Sequence, residues 1–114
     1  DPTRAMIEMG WSGRVPKPVF MDKMDAIMEL GAMPRSGGCG ALALADVASG
    51  RLDGYIEIVI NLWDVAAALP LLMEAGASVS PFLRDGGLTG GATILAANPH
   101  IAQQLAQAVA IPLE

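Results

Sequence analysis

The chain has 114 residues, one domain's worth, and its 53% apolar content is enough to bury a core, with nothing in it that suggests disorder. The net charge is −5 and the seven Lys and Arg residues form no basic stripe, which argues against a nucleic-acid or anionic-membrane surface. Cys39 is the single cysteine, so no internal disulfide can form, and no apolar run reaches the ~20 residues that cross a bilayer; we therefore expect a cytoplasmic protein.

The first third of the chain predicts alternating strands and helices. Residues 5–11 alternate weakly and predict a strand, and residues 19–30 have helical spacing with one polar face. Residues 32–36 predict a short strand, which Pro34 restricts to a sheet edge or a strand start. A second helix is predicted over residues 41–49.

The centre of the chain is an apolar strand followed by an apolar helix. Residues 55–60 are β-branched and apolar apart from Glu57, which is typical of a strand buried on both faces. The following helix is apolar on nearly every side and stops at Gly76, a favourable C-terminal cap. Pro70 lies inside it, so the helix either bends there or consists of two short pieces.

The last third predicts two strands and a helix. The strands are residues 77–82 and 92–97, separated by a glycine-rich loop over residues 83–91. Asn98 and Pro99 are favoured residues for a helix cap and a first helical position. The alternation of elements predicts an α/β fold: a mixed, mostly parallel sheet of about five strands with helices on its faces.

Two acids stand in apolar surroundings, where a carboxylate is costly unless it is paired, hydrogen-bonded or metal-bound. Asp64 has a simple explanation as the N-cap of the central helix. Glu57 could equally face solvent from an edge strand. The residues alone leave these structural explanations open beside a functional one.

The turn at residues 36–40 joins a strand to a helix, where backbone N–H groups and the helix dipole favour an anion. It matches neither common phosphate-binding glycine motif, so a plain tight turn explains it equally well. Cys39 lies in this turn and would need a base to act as a nucleophile. His100, the single histidine, stands in the last helix and is not obviously near.

Five stretches carry motifs in a fixed order. They are residues 35–42 (Arg-Ser-Gly-Gly-Cys-Gly-Ala-Leu), 47–57 (Val-Ala-Ser-Gly-Arg-Leu-Asp-Gly-Tyr-Ile-Glu), 62–67 (Leu-Trp-Asp-Val-Ala-Ala), 74–77 (Glu-Ala-Gly-Ala) and 94–99 (Ile-Leu-Ala-Ala-Asn-Pro). Their order and spacing resemble the C-terminal signature of the inositol monophosphatase family of Mg-dependent phosphatases: G-x-x-D-x-Y-x-E, then W-D-x-A-A-G, then E-A-G-G. Residues 1–34 fit the family only loosely.

The resemblance implies roles for four residues. Asp64 stands where the family's W-D aspartate ligates a catalytic magnesium ion, and Glu57 stands where a glutamate contacts substrate hydroxyls. Gly38 and Cys39 stand in the turn whose main chain contacts the substrate. The implied cofactor is Mg²⁺, a hard cation that prefers carboxylate oxygens, and the implied partner is a small phosphorylated polyol or sugar.

The sequence also departs from the family pattern. Ala68 replaces the last glycine of W-D-x-A-A-G, and Cys39 stands where Ser or Thr is usual. The family's other metal ligands belong to its N-terminal half, in a Glu and a D-P-x-D-G-T stretch; Arg4 stands where the second Asp of that stretch would be. We therefore expect residues 1–114 to be the C-terminal α/β domain of such an enzyme, inactive without the N-terminal metal-binding half.

The resemblance thus predicts the C-terminal part of a Mg-dependent phosphatase of a small polyol or sugar phosphate. Alternative substrates are histidinol phosphate and a nucleotide bisphosphate. The alternative from another class is a non-catalytic binding or assembly domain on the same scaffold. The family's tendency to dimerise implies a homodimer for the full-length protein, with neither nucleic acid nor membrane as a partner.

Overall fold

Residues 2–84 and 91–113 are described by the computed structural model, and within them five strands form one mixed sheet. The strands are β1 (Met6–Gly10), β2 (Met33–Arg35), β3 (Gly54–Ile60), β4 (Ser78–Val79) and β5 (Ala92–Ala97). Their order is β2-β1-β3-β5-β4, and β5 pairs antiparallel with both of its neighbours. The other four strands therefore run in one direction, and the predicted mixed, mostly parallel α/β sheet is confirmed.

Helices cover both faces of this sheet. One core packs the sheet against the first and last helices, and the other packs it against the three between them. Successive strand residues point to opposite faces, so Ile56 enters the first core and Tyr55 the second. The helices are α1 (Lys17–Glu29), α2 (Gly40–Ser49), α3 (Leu62–Val65), α4 (Ala68–Glu74) and α5 (Pro99–Val109).

Pro70 explains why the central helix is two short pieces, the second of the two predicted outcomes. The proline is the third residue of α4, where its missing N–H costs little. Continuing α3 into α4 would place the Pro70 ring against the carbonyl group of Ala66, the C-cap residue that follows α3. Gly76 follows α4 with a φ of +77°, a left-handed conformation that glycine adopts without strain.

The ends of the sheet and of the last helix also follow the sequence. β2 is an edge strand, as Pro34 predicts. The Asn98 side chain accepts a hydrogen bond from the His100 N–H at 3.0 Å, and Pro99 opens α5. Residues 85–90 of the predicted glycine-rich loop lie outside the described part of the chain. Among the described helices, none is long and apolar enough to span a bilayer.

Two structural explanations suggested by the sequence are wrong. Glu57 does not lie on an edge strand, because β3 is the middle strand of the sheet, between β1 and β5. Asp64 is not an N-cap: Asn61 precedes α3 as its N-cap, and Asp64 lies inside the first turn of that helix. The edge-strand explanation of Glu57 and the N-cap explanation of Asp64 are therefore removed, while the first helical turn remains a favourable place for the Asp64 charge.

Candidate functional site

A cleft of about 360 Å³ opens where β1 and β2 end, at the edge of the sheet formed by the carboxyl ends of the parallel strands. Ligands of α/β sheets characteristically bind outside this edge. The structure brings all four predicted site residues to this one cleft, although they are spread over 27 positions of the chain, from Gly38 to Asp64. They are Gly38, Cys39, Glu57 and Asp64.

Glu57 lines the cleft and lies on the same face of β3 as Tyr55, two residues before it. The Tyr55 hydroxyl donates a short hydrogen bond to Glu57 Oε1. Burial raises the pKa of Glu57 above its usual range, and the neighbouring Asp64 charge raises it further, while the Tyr55 hydrogen bond and the Arg14 charge act the other way. A bound cation or hydroxyl donor would stabilise the charged form of this carboxylate.

Asp64 reaches the cleft from the first turn of α3, directly after β3. Its residue is half-buried, and no hydrogen bond or ion pair joins its carboxylate to another side chain of the described residues. A carboxylate in such a position is stabilised by a positive ligand. Among the described acids that line the cleft, Asp64 is therefore the one whose carboxylate is left available for a metal ion.

The glycine turn forms a third wall. Gly38 has a φ of +83°, which a side chain would strain, and Cys39 is the N-cap of α2. No side chain caps this helix, and Gly40, its first residue, lines the cleft. The N–H groups of the first turn of a helix have no intrahelical partner. These groups suit an anion or a ligand oxygen.

Glu8 is a further acid of the cleft, which the sequence motifs do not include. It is 3% exposed, and its Oε1 accepts a hydrogen bond from Arg35 Nε at 3.0 Å. A side chain on Gly37 would come within 2.9 Å of both carboxylate oxygens, so the glycine turn packs directly on this ion pair. The sequence feature that could have identified Glu8 is a charged residue inside an apolar strand, the same feature that distinguishes Glu57.

His100 and Cys39 are not brought together. His100 opens α5 directly beyond the end of β5, whose last residue pairs with Gly54 at the start of β3. It therefore lies at the edge of the sheet opposite the cleft, which rules out a Cys39–His100 nucleophile pair. In the described part of the chain, no group of three or more His, Cys, Asp or Glu residues could hold a metal ion by itself. Asp64 fits a metal as one ligand of a larger set.

The fold and the cleft together define an α/β protein with an acidic cleft at the carboxyl edge of its sheet. The sequence model of the inositol monophosphatase family matches residues 6–112, and the chain belongs to that family. An inositol-1-monophosphatase of Synechocystis is 46% identical over 76 residues, which cover 67% of this chain. The Nus factor SuhB of Escherichia coli is 45% identical over 75 residues, or 62% of the chain.

The solved structures agree with this assignment. The inositol monophosphatase of Anabaena superposes on 98% of the chain with a TM-score of 0.79 and 31% identity. The matched segment spans 26% and 27% of the two curated relatives, and the chain covers 46% of the solved structure. The chain therefore corresponds to less than half the length of these relatives.

Proposed function

We propose that this chain is the C-terminal α/β domain of a Mg-dependent phosphatase that hydrolyses the phosphate monoester of a small polyol or sugar. The observation that carries the proposal is the half-buried Asp64 carboxylate, which has no hydrogen bond or ion pair with the described side chains and shares a cleft with Glu57. Membership of the inositol monophosphatase family supports the class of reaction. The relative from Synechocystis is named an inositol-1-monophosphatase.

Each site residue has a part in this proposal. Asp64 contributes one carboxylate ligand to Mg²⁺, which when bound activates a water molecule and stabilises the leaving alkoxide. Glu57 accepts hydrogen bonds from substrate hydroxyls. Gly38 and Cys39 bring main-chain groups at the start of α2 to the substrate. The further metal ligands belong to the part of the protein that corresponds to the unmatched length of the relatives.

The test is Mg²⁺-dependent release of phosphate from myo-inositol 1-phosphate, by the full-length protein and by the 114-residue chain. We expect activity in the full-length protein only, because one carboxylate cannot hold the metal site. Activity in the short chain would show that its own residues supply more metal ligands than Asp64. With no activity in either, histidinol phosphate and a nucleotide bisphosphate are the next substrates.

The second candidate is a non-catalytic binding or assembly domain. It is favoured by the relatives of Escherichia coli and Salmonella typhimurium that are named Nus factors. A magnesium titration of the full-length protein separates the two: binding that depends on Asp64 supports the phosphatase, and no binding at millimolar Mg²⁺ supports the assembly domain. Homodimerisation of the full-length protein, a cytoplasmic location and the absence of nucleic-acid partners stay predictions.

A further inference from the structure

The Tyr55 hydroxyl is a polar group that the proposed function leaves without a role. Its residue is 1% exposed, and its ring lies in the core between the sheet and α2, α3 and α4. The hydroxyl nevertheless reaches the cleft and donates its hydrogen bond to Glu57 Oε1. A phenylalanine would fill the same core volume, so packing alone does not explain the hydroxyl.

The backbone on both sides leaves room for this pair. A Cβ atom on Gly10 would lie 2.1 Å from the Tyr55 hydroxyl oxygen and 2.3 Å from Glu57 Oε1. A Cβ atom on Gly40 would lie 2.9 Å from the same hydroxyl. The end of β1 and the start of α2 therefore approach the pair so closely that a side chain at either position would meet it.

The phenol is suited to holding a carboxylate in one orientation. Its rigid ring is fixed by the core, so the donated hydrogen bond has a fixed direction. Burial, and then the hydrogen bond to Glu57, raise the pKa of Tyr55 far above its ordinary value, so the hydroxyl keeps its proton and always donates. The contact engages Oε1, and the other carboxylate oxygen of Glu57 can then be presented to a ligand in the cleft.

We propose that Tyr55 is a positioning residue for substrate recognition: its hydrogen bond to Glu57 Oε1 orients this carboxylate to accept a substrate hydroxyl beside the phosphate ester. This inference rests on the proposed function. It makes Tyr55 a determinant of preference for hydroxylated substrates. Phosphate esters without neighbouring hydroxyl groups do not use the oriented carboxylate and are unaffected by its position.

The test is steady-state kinetics of the full-length protein with Tyr55→Phe, on myo-inositol 1-phosphate and on p-nitrophenyl phosphate, which has no hydroxyl group. We expect KM for the inositol ester to rise roughly 10-fold, the effect of one lost hydrogen bond to a charged group, and KM for the aryl ester to stay unchanged. The matched control is Ser80→Ala, which removes a buried hydroxyl at the Leu95 N–H, away from the cleft. It should change stability without changing substrate preference.

A double-mutant cycle separates positioning from a general structural effect. In a Glu57→Ala background, Tyr55→Phe should cause no further rise in KM for the inositol ester, because the acceptor of the Tyr55 hydrogen bond is already gone. Equal losses on both substrates, or full additivity with Glu57→Ala, would overturn the role of Tyr55. If the wild type hydrolyses neither ester, the proposed function is contradicted, and so is the role of Tyr55 in substrate recognition, which rests on it.

A spectroscopic measurement covers the case in which Tyr55→Phe does not fold. The tyrosine Fermi doublet in the Raman spectrum reports whether a phenol donates a strong hydrogen bond. The difference spectrum between the wild type and Glu57→Ala, which has no acceptor at this position, should show the loss of one donating tyrosine. Identical doublets in the two proteins would overturn the inference without any replacement of Tyr55.

Discussion

The polar residues at the two strand-end edges of the sheet, one beside the cleft and one opposite it, have different roles. At the edge opposite the cleft, the Asp53 carboxylate accepts a hydrogen bond from the Met6 N–H at 2.8 Å, and the Asp53 carbonyl group accepts one from the Asn98 N–H at 2.8 Å. Asn98 in turn caps α5. These groups are engaged in joining the strands to each other and to the helix.

At the cleft edge the acids are engaged only in part. Glu8 forms an ion pair with Arg35. One carboxylate oxygen of Glu57 accepts a hydrogen bond from Tyr55. The Asp64 carboxylate has no hydrogen bond or ion pair with the described side chains. Leaving a half-buried carboxylate without a partner is unfavourable for folding. The comparison indicates that one edge is built for stability and the other is kept available for a ligand, and the following variants test that difference.

Removing the Asp64 charge should have the largest effect. We expect Asp64→Asn to lower kcat of the full-length protein roughly 100- to 1,000-fold, because a metal ion supplies several kcal/mol of transition-state stabilisation. Stability should be unchanged or slightly higher, since an unpaired charge is removed. Asp22→Asn, an exposed carboxylate on α1, is the matched control and should leave kcat unchanged. A full-rate Asp64→Asn enzyme would contradict the assignment.

Filling the space beside Tyr55 and Glu57 should be next. Gly10→Ala puts a methyl group into contact with both side chains, so we expect the free energy of unfolding to fall by about 2–3 kcal/mol, together with a higher KM. Gly13→Ala is the matched control, because its Cβ atom meets nothing within 4 Å. Urea unfolding measures the stability of the two variants. Equal free energies of unfolding would show that the end of β1 does not pack closely against Tyr55 and Glu57.

At the opposite edge the expected effect is on stability alone. Asp53→Ala leaves the Met6 N–H without its acceptor, which should cost about 1–2 kcal/mol of unfolding free energy with KM unchanged. Asp53→Asn keeps an acceptor oxygen and should lose less. If Asp53→Ala changed KM and left the free energy of unfolding unchanged, this would contradict a purely stabilising role for the edge opposite the cleft.

The smallest effect expected is in the pH dependence of stability. Because the pKa of Glu57 is raised in the folded state, the folded protein binds this proton more tightly than the unfolded chain does. Its contribution to stability is present below the ordinary pKa of 4.5 and is lost as the pH rises through the raised folded value. Because glutamine stays neutral, the stability of the wild type relative to Glu57→Gln should fall as the pH rises through this range, and a constant difference between the two proteins would contradict it.

The sequence predicted more of the fold than of the site. The order of the elements, the edge position of β2 and the break near Pro70 follow from local patterns, since proline and glycine act on their immediate neighbours. The partners of Glu8 depend on register: β1 aligns Glu8 with Arg35 on one side and with Tyr55 on the other. Local sequence patterns do not determine the register between strands that are distant in the chain. The surroundings of Glu8 in the cleft could therefore not be predicted.

The positions of Glu57 and Asp64 show the same limit. Each has a common structural explanation, an exposed edge strand for Glu57 and a helix cap for Asp64. The first is removed by the strand order of the sheet, and the second by the start of α3 at Leu62. The motif resemblance, by contrast, assigns both residues to one site without any knowledge of the geometry. The structure brings them to one cleft, and their chemical roles stay proposals.

The most direct test of the difference between the edges is metal binding without catalysis. Mn²⁺ takes the same oxygen ligands as Mg²⁺ and can be followed by electron paramagnetic resonance. We would titrate the full-length wild type, Asp64→Asn and Asp53→Asn with Mn²⁺. The account predicts that binding is weakened roughly 10-fold or more in Asp64→Asn and is unchanged in Asp53→Asn. Equal affinity in wild type and Asp64→Asn would contradict it.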